Sequence, residues 1–170
     1  HRSLLNRCLL HKGDMDNGWL SHSDWLSIRD AERDYRESNL IIDATPAITI
    51  QAVEARCRQE KARTGKLDLV IIDYLGLMGT TGNSENRQLE VQSLSKRLKA
   101  LSRTMDVPLV ALSQLSRKVE DRNPPRPQLS DLRESGSLEQ DADCVLFIYR
   151  ESEYVPNSEW EGFAEVIVAK

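Results

Sequence analysis

The sequence predicts an α/β fold, a mostly parallel sheet flanked by helices. Three observations predict it. Apolar runs recur along the chain at Leu40–Ile42, Leu67–Ile72, Leu109–Leu112, Cys144–Tyr149 and Ala164–Val168. Most are continuous rather than alternating, which suggests strands buried on both faces beneath helices. Amphipathic stretches of helical period separate several of them, and helix alternating with strand is the α/β signature.

The elements follow in order. Ser21, with Asp24 three residues on, can cap a helix containing Trp25, Ile28 and Tyr35. Those three read as core or subunit contacts rather than a ligand box. Leu40–Ile42 is the first strand candidate. Thr49 suits the N-cap of a helix running to about Thr64, with Gly65 as its stop. Val53 and Cys57 lie one turn apart on its inner face, and Arg56, Arg58, Lys61 and Arg63 keep the remainder wet. Leu67–Ile72 is the second strand and ends on Asp73. A connector from Gly79 to Asn86 follows. Val91, Leu94, Leu98, Leu101 and Met105 then recur at steps of three and four, one buried stripe on a helix from about Asn86 to Thr104. Lys96, Arg97, Lys99 and Arg103 occupy its other faces and read as solvated. Leu109–Leu112 is the third strand, leading into Ser113 and Gln114. Asn123-Pro124-Pro125-Arg126-Pro127 cannot be helix interior and forms a second connector. The last two strands lie at Cys144–Tyr149 and Ala164–Val168.

Composition narrows the function. A chain of 170 residues with 39% hydrophobic and 29% charged residues is an ordinary globular domain. Aromatics make up only 5%, so stacking platforms should not dominate any nucleic-acid contact. A net charge of −4 argues against a broad basic face but permits a few phosphate contacts. Cys8, Cys57 and Cys144 are scattered with no Cys-x-x-Cys pair, which reads as reduced thiols in a cytoplasmic protein. His1, His11 and His22 form no ligand cluster. No apolar run is long enough to span a membrane and no signal-peptide pattern is present. A chain that begins at His1 reads as an excised segment.

Two sites carry chemistry. Asp73, at the carboxyl end of an apolar strand, could hold Mg²⁺ against nucleotide phosphates, although Val-Ile-Ile-Asp by itself more often ends on an aspartate that caps the next loop. If the strands run parallel, Ser113 and Gln114 emerge at the same edge, where ligands gather in open α/β sheets. A glutamine there could sense a γ-phosphate or the attacking water. The second site is Ser130–Asp143, which places Arg133, Glu134, Ser135, Gly136 and Ser137 in a tight loop before a strand. Such a loop offers backbone N–H groups, hydroxyls and a guanidinium to phosphate, and the glycine permits close approach.

In these motifs the chain resembles the DnaB-type replicative helicases of bacteria, in their carboxyl-terminal RecA-like motor domain. The resemblance rests on Ile72-Asp73-Tyr74-Leu75-Gly76-Leu77-Met78, Asn86-Arg87, Leu98-Lys99-Ala100-Leu101, Val107 through Arg117, and Ser130 through Arg150. It runs from about Asp14 onward and is densest from Leu69 to Arg150. It implies a homo-hexamer that encircles single-stranded DNA, hydrolyses ATP with Mg²⁺, unwinds duplex with 5′→3′ polarity, and works with a primase and a helicase loader. Asp73 would be the Walker B aspartate, a catalytic residue and Mg²⁺ ligand, directly or through water. Gln114 would be the second catalytic residue, the sensor linking nucleotide state to the DNA loops. Arg133, Glu134 and Gly136 match the central-channel loop that touches the DNA backbone. Lys170 matches the lysine of a Lys-x-Arg finger that reaches the neighbouring subunit's ATP.

The sequence departs from that pattern twice. Gly76 stands where the family often has glutamine. No Gly-x-x-x-x-Gly-Lys-Ser/Thr occurs, so residues 1–170 read as a partial RecA-like ATPase domain. The strand with the phosphate loop, the catalytic glutamate and the final hairpin are expected outside it. Two alternatives accompany this reading. One is a RecA-like recombination or repair ATPase. The other is a non-catalytic interaction fragment.

Overall fold

Helix ends are written into the sequence here. Ser21 and Asp24 form a reciprocal capping box at the start of α1, His22–Glu37. Thr49 accepts from the Ala52 N–H to open α2, Ile50–Thr64, and Gly65 closes it at φ 78°, a left-handed conformation glycine adopts without cost. The computed structural model describes residues 17–79 and 87–170, without the side chains of 87, 88 and 133–136. Of the connector expected at Gly79–Asn86, only Gly79 lies within the described residues.

The chain divides into two compact units, residues 1–44 and 45–170. Among its described residues the first unit contains α1, on which Ala31 is buried while Trp25 is 59% exposed. Trp25 is therefore not a core residue. Leu40–Ile42 forms no strand, and all three side chains are exposed. An apolar triplet becomes a strand only when a partner edge takes its backbone bonds.

In the second unit α2 is followed by β1 (Val70–Ile72), a 3₁₀ turn (Leu75–Leu77), α3 (Arg87–Met105) and β2 (Leu109–Ala111). Strands β1 and β2 pair in parallel, Val70 against Leu109, Ile71 against Val110 and Ile72 against Ala111. The helix α3 is the crossover that parallel pairing requires. It ends where Asp106 takes a positive φ of 49° and the Val107 N–H reaches back to the Ser102 carbonyl. Lys61 also donates to the Met105 carbonyl, tying α2 to the carboxyl end of α3.

Of the stripe expected on α3, Leu98, Leu101 and Met105 are buried in the core and Leu94 packs against it half-buried, while Val91 joins no buried cluster among the described residues. Ile50, Ile72, Leu75, Met78 and Leu98 form one buried cluster. Cys57, Leu101, Met105 and Val107 form a second, and Val53, Val70 and Leu109 pack against both. Burial raises the Cys57 thiol above its ordinary pKa. On α3 the basic residues are partly paired rather than merely solvated: Arg97 meets Glu54 at 2.9 Å, and Lys99 meets Asp143.

Beyond β2 come two 3₁₀ turns (Arg117–Val119 and Leu129–Ser135), α4 (Gly136–Asp141), β3 (Leu146–Tyr149), a third 3₁₀ turn (Glu151–Glu153) and β4 (Glu165–Val168). Strands β3 and β4 are antiparallel, Leu146 opposite Val168 and Tyr149 opposite Glu165. Leu132, Val145 and Phe147 form the third buried cluster. The Pro-rich connector is pinned beside it, with the Arg126 guanidinium 5.0 Å from the Tyr149 ring centroid and bonded to Glu165.

Two expectations need correction. The described strands form a parallel pair and a separate antiparallel pair rather than one mostly parallel sheet. The connection from β3 to β4 contains no α-helix, only the 3₁₀ turn Glu151–Glu153. It turns through Asn157 and Gly162, both at positive φ, and so returns the chain antiparallel. Nor are the strands buried on both faces. Helices α2 and α3 pack on one side of β1–β2, and Ile71 and Val110 on the other are 60% and 48% exposed. Residues alternate along β3 in the same way, with Phe147 and Tyr149 buried and Leu146 and Ile148 exposed.

Candidate nucleotide edge and nucleic-acid loop

Parallel pairing decides where the first candidate residues lie. The ladder continues beyond the strands: the Leu112 N–H donates to the Ile72 carbonyl at 2.9 Å, and the Leu75 N–H donates to the Leu112 carbonyl at 2.9 Å. Asp73 is held between those two bonds. Ser113 and Gln114 follow Leu112 directly, so all three residues leave the pair at its carboxyl edge. Asp73 and Gln114 are exposed. Among the described residues no hydrogen bond or ion pair occupies the Asp73 carboxylate. Leu75, two residues on, is buried in the core and anchors the 3₁₀ turn that follows Asp73. Close approach fixes that turn from its far end. A Cβ at Gly79 would come within 2.1 Å of the Ala47 carbonyl oxygen, and the Gly79 N–H donates to Ile48 O.

The fit to Mg²⁺ rests on this donor set. Among the described residues no three acidic, histidine or cysteine side chains gather around one point. A single accessible carboxylate suits Mg²⁺ shared with nucleotide phosphates, since that ion keeps most of its waters and uses one or two carboxylates.

The second candidate site is a turn and a short helix. Leu129–Ser135 is 3₁₀ with a break at Leu132, whose ψ of 19° is not helical, and α4 starts at Gly136. Arg133 and Glu134 thus fall in the last part of that turn. Their side chains lie outside the described part of the structure.

The two sites are linked by residues that sequence reasoning passed over. The Ser116 N–H donates to the Asp131 carbonyl at 3.0 Å. Asp131 is 4% exposed, and its carboxylate accepts from the Gln128 N–H at 2.8 Å and from the Arg122 guanidinium. Arg122 also donates to Arg126 O at 2.7 Å. A buried carboxylate is tolerated because it is paired and bonded in this way. Ser-Asp at the head of the loop was the available signal, since both types favour backbone-bonded turns.

Lys170 is placed on the same chain's α4. Its Nζ donates to Glu139 O at 2.8 Å and Gln140 O at 3.3 Å, carbonyls at the end of that helix. Ser95 Oγ holds the Asp141 carboxylate at 2.7 Å. Asp143 lies below the usual carboxylate range because Lys99 hydrogen-bonds it and adds its charge, with Arg103 and Lys170 contributing further.

A family model for the DnaB-like helicase C-terminal domain matches residues 1–170. The chain belongs to that family. The replicative DNA helicase DnaB of Geobacillus stearothermophilus is 43% identical over 175 residues, 99% of this chain and 38% of that protein. Replicative DNA helicase DnaC of Bacillus subtilis is 42% identical, across 98% of this chain and 38% of the relative. The chain thus spans well under half the length of these relatives. Two solved structures share its fold at 36% identity and 98% coverage of the chain. One, an ATPase domain, superposes with a TM-score of 0.91 over 60% of its own length. The other, a DnaB-like replicative helicase solved in a study of its interactions with primase, gives 0.90 over 41%. Membership of the DnaB-like family bears out the resemblance read from the motifs.

Proposed function

We propose that this chain is part of the RecA-like motor of an ATP-dependent replicative DNA helicase, which translocates on single-stranded DNA and unwinds duplex in the 5′→3′ direction. The observation that carries the proposal is the parallel β1–β2 pair, which brings Asp73 and Gln114 to one edge of the sheet. In this reading ATP lies across that edge. Asp73 would hold Mg²⁺, which when bound neutralises charge on the β- and γ-phosphates. Gln114 would meet the γ-phosphate side and register whether it is present. Arg133, Glu134 and Gly136 would line the DNA path, contacting phosphate and sugar rather than bases. Six subunits would surround the strand, and Lys170 would reach a neighbour's nucleotide on release from α4. A primase and a loader are the partners this role calls for, and the cytoplasm is its location. Among the described residues no helix is long and apolar enough to cross a membrane.

The test is Asp73→Ala in the intact protein. Loss of the carboxylate should abolish steady-state ATP turnover, since metal-assisted charge stabilisation contributes several kcal/mol to such a barrier. Asp73 is exposed, so the variant should fold and melt as the parent does. Near-normal turnover would end the assignment.

A further inference from the structure

We infer that the Ser116–Asp131 backbone hydrogen bond is the strap through which the Gln114 edge moves the Arg133 loop. The inference rests on the proposed function, and it assigns a positioning role to Ser116 and Asp131, neither of which is among the residues proposed to touch nucleotide or DNA. Ser116 lies two residues after Gln114, and Asp131 lies two residues before Arg133. Two residues span at most about 7 Å. One hydrogen bond of 3.0 Å therefore joins the two sites through a pair of short tethers.

The strap is stiff where it must carry load. Its Asp131 end is buried, bonded through the carboxylate to Arg122 and the Gln128 N–H, and bonded through its own N–H to Gln128 O at 2.9 Å. Leu115, between Gln114 and Ser116, packs against the Leu132, Val145 and Phe147 cluster. The 3₁₀ run Leu129–Ser135 is interrupted at the buried Leu132, so the backbone changes course directly before Arg133. The far end is fixed, because α4 is held to α3 by Ser95 and Asp141. With Asp131 and Leu132 packed on one side and α4 held on the other, a shift delivered at Asp131 would fall on the backbone between them, which carries Arg133, Glu134 and Gly136, the residues expected to touch DNA. By linkage the strap works both ways, so DNA on the loop would bias Gln114 as nucleotide biases the loop.

Ser116 offers a clean test. Its φ of −62° is the value proline imposes, so Ser116→Pro can keep the backbone path while deleting the donor N–H. Ser116→Ala is the control. It keeps the N–H and loses only the hydroxyl that caps the Lys118 N–H. Both are made in the intact protein and read by ATP turnover with and without oligo(dT), and by oligo(dT) affinity with a non-hydrolysable ATP analogue and with ADP. Ser116→Pro should match Ser116→Ala in basal turnover. Stimulation by DNA should fall about three- to tenfold, the scale of one hydrogen bond. The difference in DNA affinity between the two nucleotide states should shrink by the same factor. A loss of general structure would lower basal turnover and leave those ratios alone, and that result overturns the strap. Unchanged stimulation and unchanged nucleotide dependence overturn it as well. Should Ser116→Pro not fold, Arg122→Lys decides, because a single ammonium cannot hold both Asp131 and Arg126 O as the guanidinium does. The same two ratios should drop in that variant, and intact ratios would refute the strap. A parent protein that DNA does not stimulate removes the proposed function and the strap together. A stimulated parent with indifferent variants removes the strap alone.

Discussion

Asp73 and Gln114 could be singled out as candidates because Asp73 directly follows an apolar run and Gln114 lies two residues beyond another, and a run's end is visible in sequence. Asp131 was not legible in the same way. Its role depends on Arg122, nine residues back, and on a backbone N–H at Ser116, which no residue type advertises. The loop residue Arg133 is recognisable by type, and its chemistry makes a quantitative prediction. A lone arginine three residues before a glycine, with no aromatic in the loop, suits a phosphate contact. For single strands each neutralised phosphate contributes about 0.7 to the slope of log affinity against log salt. Arg133→Ala should weaken binding alike for oligo(dT), oligo(dA) and mixed sequence, and reduce the slope by about that amount per engaged subunit. Parallel salt titrations of parent and variant check this, and equal slopes would show that Arg133 does not meet phosphate.

At the scale of elements, helices were more legible than strands. A helix carries its own stop and start signals, and Thr49, Gly65, Ser21 and Asp24 all act as their types suggest. A strand depends on a partner elsewhere in the chain. Leu40–Ile42 has β-forming residues yet no pairing, while β1 and β2 form because α3 brings their edges together. Helix α2 offers the measurement. It contributes Ile50, Val53 and Cys57 to the core, so its caps should affect global stability. Thr49→Ala leaves the Ala52 N–H without its partner and should cost about 1 kcal/mol. Gly65→Ala forces a Cβ into the left-handed region at φ 78° and should cost about 1–2 kcal/mol. Urea unfolding followed by circular dichroism should show lower midpoints at unchanged m. Unmoved midpoints would mean that α2 frays without consequence for the second unit.

For the whole molecule, continuous apolar runs predict strands with two covered faces. What such a run establishes is that both faces are apolar, and coverage depends on which elements pack there. Helices α2 and α3 cover one side of β1–β2, and Leu69, Ile71, Val110 and Leu112 remain exposed. Across the second pair Leu146, Ile148, Val166 and Val168 are exposed in the same manner, the last at 71%. Contiguous apolar surface of this kind drives association in water, and short strands with open edges add unpaired backbone to it. The polypeptide of residues 1–170 should therefore self-associate as its concentration rises, despite a net charge of −4. The registers show how to remove the cause without disturbing the fold. Ile71 faces Val110 and Ile148 faces Val166, and all four side chains point away from the buried clusters. Ile71→Lys with Val110→Glu, together with Ile148→Lys and Val166→Glu, places opposite charges on neighbouring strands, a pairing sheets accept. Sedimentation velocity should find the parent polypeptide associating and the fourfold variant monomeric, with matching far-ultraviolet circular dichroism. A parent that stays monomeric throughout, or a folded variant that associates as strongly, would show that these two faces are not what brings the molecules together.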